Sequence, residues 1–162
     1  MLLKDLNLTE NSCFIAMQYY RLILNRTYLV VLTNNSLVGI VVNGLVSAES
    51  PDKSANFLVR KLIIRGDLNN PLSYVKNEYL EKVKWFDIED DEILAQNRAN
   101  FRIRYQNIRS VRYDPKRKWG MGNYPHDGKV YVETATGETM EFIILGNQSG
   151  ELIKNRIWGK KH

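Results

Sequence analysis

Twenty-two consecutive residues, Thr27 to Ala48, carry no charge, and that run constrains the fold of this chain more than any other feature. A membrane-spanning helix would be one way to bury it. However, Asn34, Asn35 and Ser36 sit near its middle and Asn43 near its end, where polar groups in hydrocarbon are expensive. The stretch divides more naturally into two β-branched runs, Tyr28 to Leu32 and Leu37 to Val42, around a turn at Thr33-Asn34-Asn35-Ser36. Asn accepts the positive φ that tight hairpin turns require. Both runs are apolar at nearly every position, so the expectation is a strand pair covered on both faces. No transmembrane segment is predicted.

The 162 residues fit a single domain spanning 1–162, a size that buries a core without staples. With 44% hydrophobic and 25% charged residues the chain has an ordinary globular composition. Cys13 is the only cysteine, so an intramolecular disulfide and a zinc site built on several thiolates are both excluded. That usage suits a reducing compartment, and Lys4 and Asp5 interrupt the apolar start where a signal peptide would need an unbroken core. A cytoplasmic location is expected.

The net charge of +5 is unevenly distributed. Between Arg98 and Lys129 nine Lys and Arg face only Asp114 and Asp127, a net of +7, while the remainder is net −2. Such asymmetry points to an anionic partner.

In chain order, a first strand is expected from about Met17 to Leu24, with Asn25-Arg26 as the tight connection to the second. Asn43-Gly44 turns the chain after the third strand. Residues 52–84 then read as two helices. Ala55, Leu58, Val59, Leu62 and Ile63 line the first, which stops near Gly66. The second starts at Asn70-Pro71, with Leu72, Val75, Tyr79, Leu80 and Val83 on one face. The acidic cluster Asp87, Glu89, Asp90, Asp91 and Glu92 lacks the spacing and central glycine of a calcium loop. It reads as a solvated turn, and no metal site is expected. Phe101, Ile103 and Tyr105 alternate with Arg102 and Arg104 in a half-buried strand. Ile108 to Tyr113, Lys129 to Thr134 and Thr139 to Leu145 are further strands, the last two joined at Thr136-Gly137. A final amphipathic helix takes Asn147 or Ser149 as its cap, Leu152, Ile153 and Ile157 as its stripe, and Gly159 as its stop.

Three strands, an inserted helical pair, four strands and a last helix carrying Trp158 make an order of elements that resembles the pleckstrin-homology-like superfold. It looks closest to the uncharacterised bacterial members. The resemblance covers about residues 12–159 and rests on element order. It implies a mainly β (α+β) fold: a seven-strand bent sandwich or partly open barrel with a C-terminal capping helix and a two-helix insertion at about 52–84. It also implies a non-enzymatic binding or adaptor module. In lipid-binding members the first connection between strands is long and basic; here it is only Asn25-Arg26.

The candidate contact residues are Arg102, Arg104, Arg112, Lys116, Arg117, Lys118, Trp119 and His126. Arg102 and Arg104 share one strand face and serve either an anionic partner or cross-strand carboxylates such as Glu133 and Glu141. Lys116, Arg117 and Lys118 stand in a long connection from Asp114 to Gly128 and are either solvated or a contact patch. Trp119 and Met121 are either a partner-contact wedge or, as Gly120, Gly122, Pro125 and Gly128 suggest, part of a self-packed loop. His126 precedes Asp127, which could orient its ring, but no nucleophile is tied to it by spacing. No catalytic group and no cofactor is therefore expected. The partners this surface suits are a protein or an acidic membrane surface, then a single-stranded nucleic acid stacked on Tyr113, Trp119 or Tyr124. The strands and the 52–84 helices also offer a surface for homo-oligomer formation.

Overall fold

The computed structural model describes residues 1–8, 11–21, 24–47, 66–67, 69–118 and 126–162. Among them the chain is mainly β. The strands are β1 (Cys13–Arg21), β2 (Leu24–Leu32), β3 (Ser36–Val41), β4 (Val46–Ser47), β5 (Phe101–Arg104), β6 (Ile108–Asp114), β7 (His126–Thr134) and β8 (Thr139–Leu145). Three α-helices accompany them among the described residues: α1 (Asn77–Val83), α2 (Asp91–Ala95) and α3 (Gly150–Gly159). Seven strands form one antiparallel sheet in the order β5-β3-β2-β1-β8-β7-β6, and β4 pairs with β2 off that path. The sheet is not closed into a barrel, since β5 and β6 at its two ends do not pair.

The uncharged run is a strand pair. Leu32 lies opposite Leu37 across the expected turn, and the Thr33 amide donates to the Ser36 carbonyl at 3.0 Å. Side chains alternate between two faces in a strand, and here both faces are buried. On one face Ile15, Met17, Leu29, Val31, Val38, Ile40, Ile143 and Leu145 pack under Tyr74, Val83, Ile88 and Ile93 of the intervening segment. On the other, Phe14, Tyr28, Val30, Leu37, Phe142 and Ile144 meet Ile103, Ile108, Val130 and Val132, and Ile153 and Ile157 of α3 close that side. A strand pair buried on both faces reads as an apolar run, because almost no position in it faces water.

Several expected boundaries move. Arg21 pairs with Leu24, so Asn25 and Arg26 are not a turn; they lie within β2 opposite Tyr19 and Gln18. The two-residue β4 has no counterpart in the expectation. The helix expected over 52–66 lies outside the described residues up to 65. The second expected helix is broken into a 3-10 turn at Pro71–Tyr74 and α1, with Val75 and Lys76 extended between them. The break rotates the apolar stripe. Tyr74 is buried and Leu72 is exposed, the reverse of a continuous helix. The break is held from the sheet side, where the Lys76 amide donates to the Val42 carbonyl at 2.9 Å and the Asn43 side chain donates to the Tyr74 carbonyl at 3.0 Å.

The final helix follows its expected start. Ser149 is the N-cap and its hydroxyl accepts the Leu152 amide. Ile153 and Ile157 are buried, while Leu152 is exposed and leaves the predicted stripe. Just before it, the Gln148 side chain accepts the Ile15 amide at 2.8 Å and donates to the Ile15 and Leu145 carbonyls, both at 2.7 Å. It thereby continues the β1–β8 ladder where backbone pairing stops, at Ala16 opposite Ile144 and Met17 opposite Ile143.

Candidate binding surface

The connection between β6 and β7 is shorter than expected. β7 starts at His126 rather than Lys129, and the strand reaches its main register through a bulge, since His126 faces Leu145 and Lys129 faces Ile143. Gly128 makes that bulge possible. Its φ is +61°, and a Cβ there would lie 2.2 Å from the Asp114 carbonyl oxygen, so both backbone conformation and close approach call for glycine. Trp119, Gly120, Met121, Gly122, Tyr124 and Pro125 lie outside the described residues, and with them the expected choice between wedge and self-packed loop.

The far end of the connection is latched to α3. Asp127 accepts the Tyr113 hydroxyl at 2.9 Å through one oxygen and the Gly150 amide at 2.7 Å through the other. Gly150 lets the Tyr113 ring close in; a Cβ there would lie 2.5 Å from it. Burial, and then the Asp127 carboxylate that accepts its proton, push the Tyr113 hydroxyl up to about 12. Asp127 therefore serves the helix start and Tyr113.

His126 is half-buried, and its Nε2 accepts the Lys118 amide at 3.2 Å. Burial holds its pKa below the ordinary histidine value, and the charges of Arg117 and Lys129 push in the same direction. The ring is neutral at pH 7, and it holds the Lys118 amide at the end of the basic triplet.

The nine cations of 98–129 separate into two sets. Four hold carboxylates. Arg102 donates to the Asp91 carboxylate at 2.7 Å and to the Asp90 carbonyl at 2.6 Å, and its side chain is only 13% exposed. Arg109 reaches Glu133 at 3.5 Å, Lys118 reaches Glu141 at 2.5 Å, and Lys129 reaches Asp114 at 3.0 Å. Burial works against the charge of Lys129, but Asp114 outweighs it and the ammonium pKa stands above its usual value. Asp114 is in turn lowered, first by the Lys116 amide and then by Lys129. Burial, followed by the hydrogen bond to Glu141, raises Tyr131, over whose ring the Arg112 guanidinium stacks at 4.2 Å.

Two sequence expectations are corrected here. Arg102 finds its carboxylate not across the strands at Glu133 or Glu141 but in the acidic cluster. That cluster is not simply solvated, since Glu89 also accepts the Ser36 hydroxyl and Asp87 accepts the Met1 amine. Glu133 and Glu141 instead take Arg109 and Lys118. The second set, Arg98, Arg104, Arg112, Lys116 and Arg117, is exposed and forms no ion pair among the described residues. These five do not make one patch. Arg112, Lys116 and Arg117 follow the outer margin of β6 into the connection, and Arg117 borders a recess with His126, Asp127 and residues 146–149. Arg104 lies before β6, beside the β2–β3 turn.

Lys160 and Lys161, just past α3, line the same recess as Arg104 and were not singled out from the sequence. Their only signal was a pair of lysines after a helix, which has a ready explanation in the helix dipole. Among the described residues no group of three or more His, Cys, Asp or Glu is placed to hold a metal. No helix among them is long and apolar enough to cross a membrane. Comparison with protein-family models, curated proteins and solved structures finds no match.

Proposed function

We propose that this protein is a pleckstrin-homology-like, non-enzymatic binding module that engages a protein or an anionic surface through the β6 margin and the connection after it. The observation that carries the reading is the run of exposed cations Arg112, Lys116 and Arg117, which have no carboxylate partner among the described residues. Neighbouring Arg109, Lys118 and Lys129 all have one. A chain that compensates charge so thoroughly on one sheet face, and leaves it uncompensated along the margin, presents a local positive field to solvent. The pleckstrin-homology-like assignment draws support from the seven-strand antiparallel path, the first and last strands side by side, and the last helix packed over one buried face. The non-enzymatic reading draws support from His126 and Asp127, the groups nearest to catalytic chemistry in type, being engaged in holding Lys118, Tyr113 and the α3 start.

The test is co-sedimentation with phosphatidylglycerol vesicles. The variant Lys116→Glu with Arg117→Glu leaves every ion pair described above intact and is expected to weaken binding by about tenfold or more, roughly the loss of one charge-assisted contact. Unchanged binding in that variant would remove the reading. A single-stranded oligonucleotide titrated over a range of salt serves as the rival arm. Steep salt dependence there, with no vesicle binding, would replace an anionic surface by nucleic acid.

A further inference from the structure

The recess at the opposite end of the sheet is a separate site. It measures about 490 Å³ and lies between the β2–β3 turn, the end of β5 and the residues after α3. Arg104, Lys160 and Lys161 line it, opposed by the carboxylate of Glu89. One Glu89 oxygen already accepts the Ser36 hydroxyl at 3.1 Å. Lys161 is partly fixed by its ammonium lying 4.8 Å from the Trp158 ring centre, and neither Arg104 nor Lys160 has an ion pair among the described residues. Two segments far apart in sequence therefore bring three cations to one concavity whose net charge is about +2. Like charges gathered in a recess repel one another more than on an open surface, because less water separates them. Helix-dipole compensation accounts for the lysines, but it gives no reason for Arg104 to line the same space.

We infer that this recess binds a hydroxylated phosphomonoester. A phosphate monoester carries about −1.5 to −2 charges at pH 7, which matches the recess. Arg104 supplies a planar fork of donors and the lysines supply point charges, the usual pairing around phosphate. The volume falls in the roughly 300–1,000 Å³ range of small-molecule sites and exceeds the needs of the phosphate group alone. The amide side chains of Asn34, Asn35 and Gln106 complete the wall and offer donors and acceptors to hydroxyls. The same chemistry occurs in a free metabolite and in a lipid headgroup.

The site stands independently of the β6 margin, and its test separates the two. The probes are glycerol phosphate and vesicles containing phosphatidic acid, with sodium chloride at equal ionic strength and phosphatidylglycerol vesicles as controls. Amide resonances of 15N-labelled full-length protein give the readout. Glycerol phosphate is expected to shift the signals of Arg104, Gln106, Lys160 and Lys161, and chloride is not. Lys160→Gln with Lys161→Gln, beyond the helix, and Arg104→Gln, at a strand end, each weaken the shift about tenfold or more. Lys116→Glu with Arg117→Glu leaves it unchanged. With Lys116→Glu and Arg117→Glu already in place to remove binding through the β6 margin, binding of phosphatidic acid but not phosphatidylglycerol vesicles, lost when the recess substitutions are added, assigns the ligand to a lipid headgroup. Binding of glycerol phosphate alone assigns it to a free compound. The inference is overturned if neither probe binds, if chloride reproduces the shifts, or if both recess variants bind as the wild type does.

Discussion

Gly39 shows how one residue sets the packing of a whole face. It sits opposite Phe101 in the β3–β5 pair, and a Cβ there would lie 2.0 Å from the Phe101 ring. The ring fills the space that the glycine leaves and joins Tyr28 and Phe142 at centroid distances of 5.5 and 5.8 Å. Gly39→Ala is expected to destabilise the protein by about 1–3 kcal/mol, the usual cost of overpacking a core. Urea unfolding of Gly39→Ala, Phe101→Leu and the double variant checks this. The double variant is expected to be more stable than the sum of the singles, because the smaller side chain makes room for the methyl. Strict additivity would show that the clash is relieved elsewhere. In the sequence, Gly39 is one glycine inside an apolar run, and nothing local marks it as the seat of an aromatic ring from a strand 62 positions away.

Between elements, the β7-to-α3 latch matters most to the candidate surface. Asp127 sits in the β7 bulge, yet its two oxygens are taken by a β6 side chain and an α3 amide. Asp127→Ala removes both acceptors and leaves the Tyr113 hydroxyl and the helix start unsatisfied. The expected cost is about 1–3 kcal/mol. The Tyr113 hydroxyl should then titrate lower than about 12, though still above the ordinary 10.0, because burial is the larger cause of its shift. Ultraviolet titration of the phenol reads this directly. An unchanged Tyr113 titration would show that the carboxylate does not hold its proton. The sequence placed Asp127 beside His126 and suggested that it orients that ring. The bulge at Gly128 turns it toward the helix instead, a register effect that residue types alone do not reveal.

For the molecule as a whole, perturbed groups set the pH window of stability. Cys13 is pushed from 9.0 up to about 11 by burial, and burial likewise raises Tyr28, Tyr105, Tyr113 and Tyr131. Groups whose folded pKa is raised contribute stability that is complete below the unfolded pKa and is lost as pH rises through the folded one. Stability is therefore expected to decline from pH 9 upward, first through Cys13. His126 has the opposite sign. Its folded pKa is depressed below 6.5, so its contribution is complete above 6.5 and disappears as pH falls through the folded value. Asp87 and Asp114, both lowered from 3.8, extend the loss to lower pH. Urea midpoints of the wild type and His126→Gln, measured between pH 7.5 and 5, should diverge. The wild type loses stability over that interval and the variant loses less. Parallel curves would show that His126 is not held neutral.

The division between what residues dictate and what folding decides follows the range of the interactions. The doubly buried β2–β3 pair, a final helix capped at one of the two residues expected, a strand beginning at Phe101, and β8 in full were all legible, because each rests on periodicity or turn chemistry over a few residues. The strand at Phe101 ends at Arg104, where Tyr105 opens a 3-10 turn instead of continuing the alternation. The concentration of charge in 98–129 was equally plain. Which of those charges are free was decided by tertiary structure. The acidic cluster before β5 folds back to Arg102, β8 brings Glu141 to Lys118, and Asp114 lies opposite Lys129 across the β6–β7 pair. Tertiary structure also broke the second expected helix at Val75 and Lys76, where hydrogen bonds to Val42 and from Asn43 outweigh local helical preference. The gathering of Lys160 and Lys161 with Arg104 is the clearest case. Electrostatic neighbours are set by distance in space, and 56 positions separate Arg104 from Lys160 along the chain.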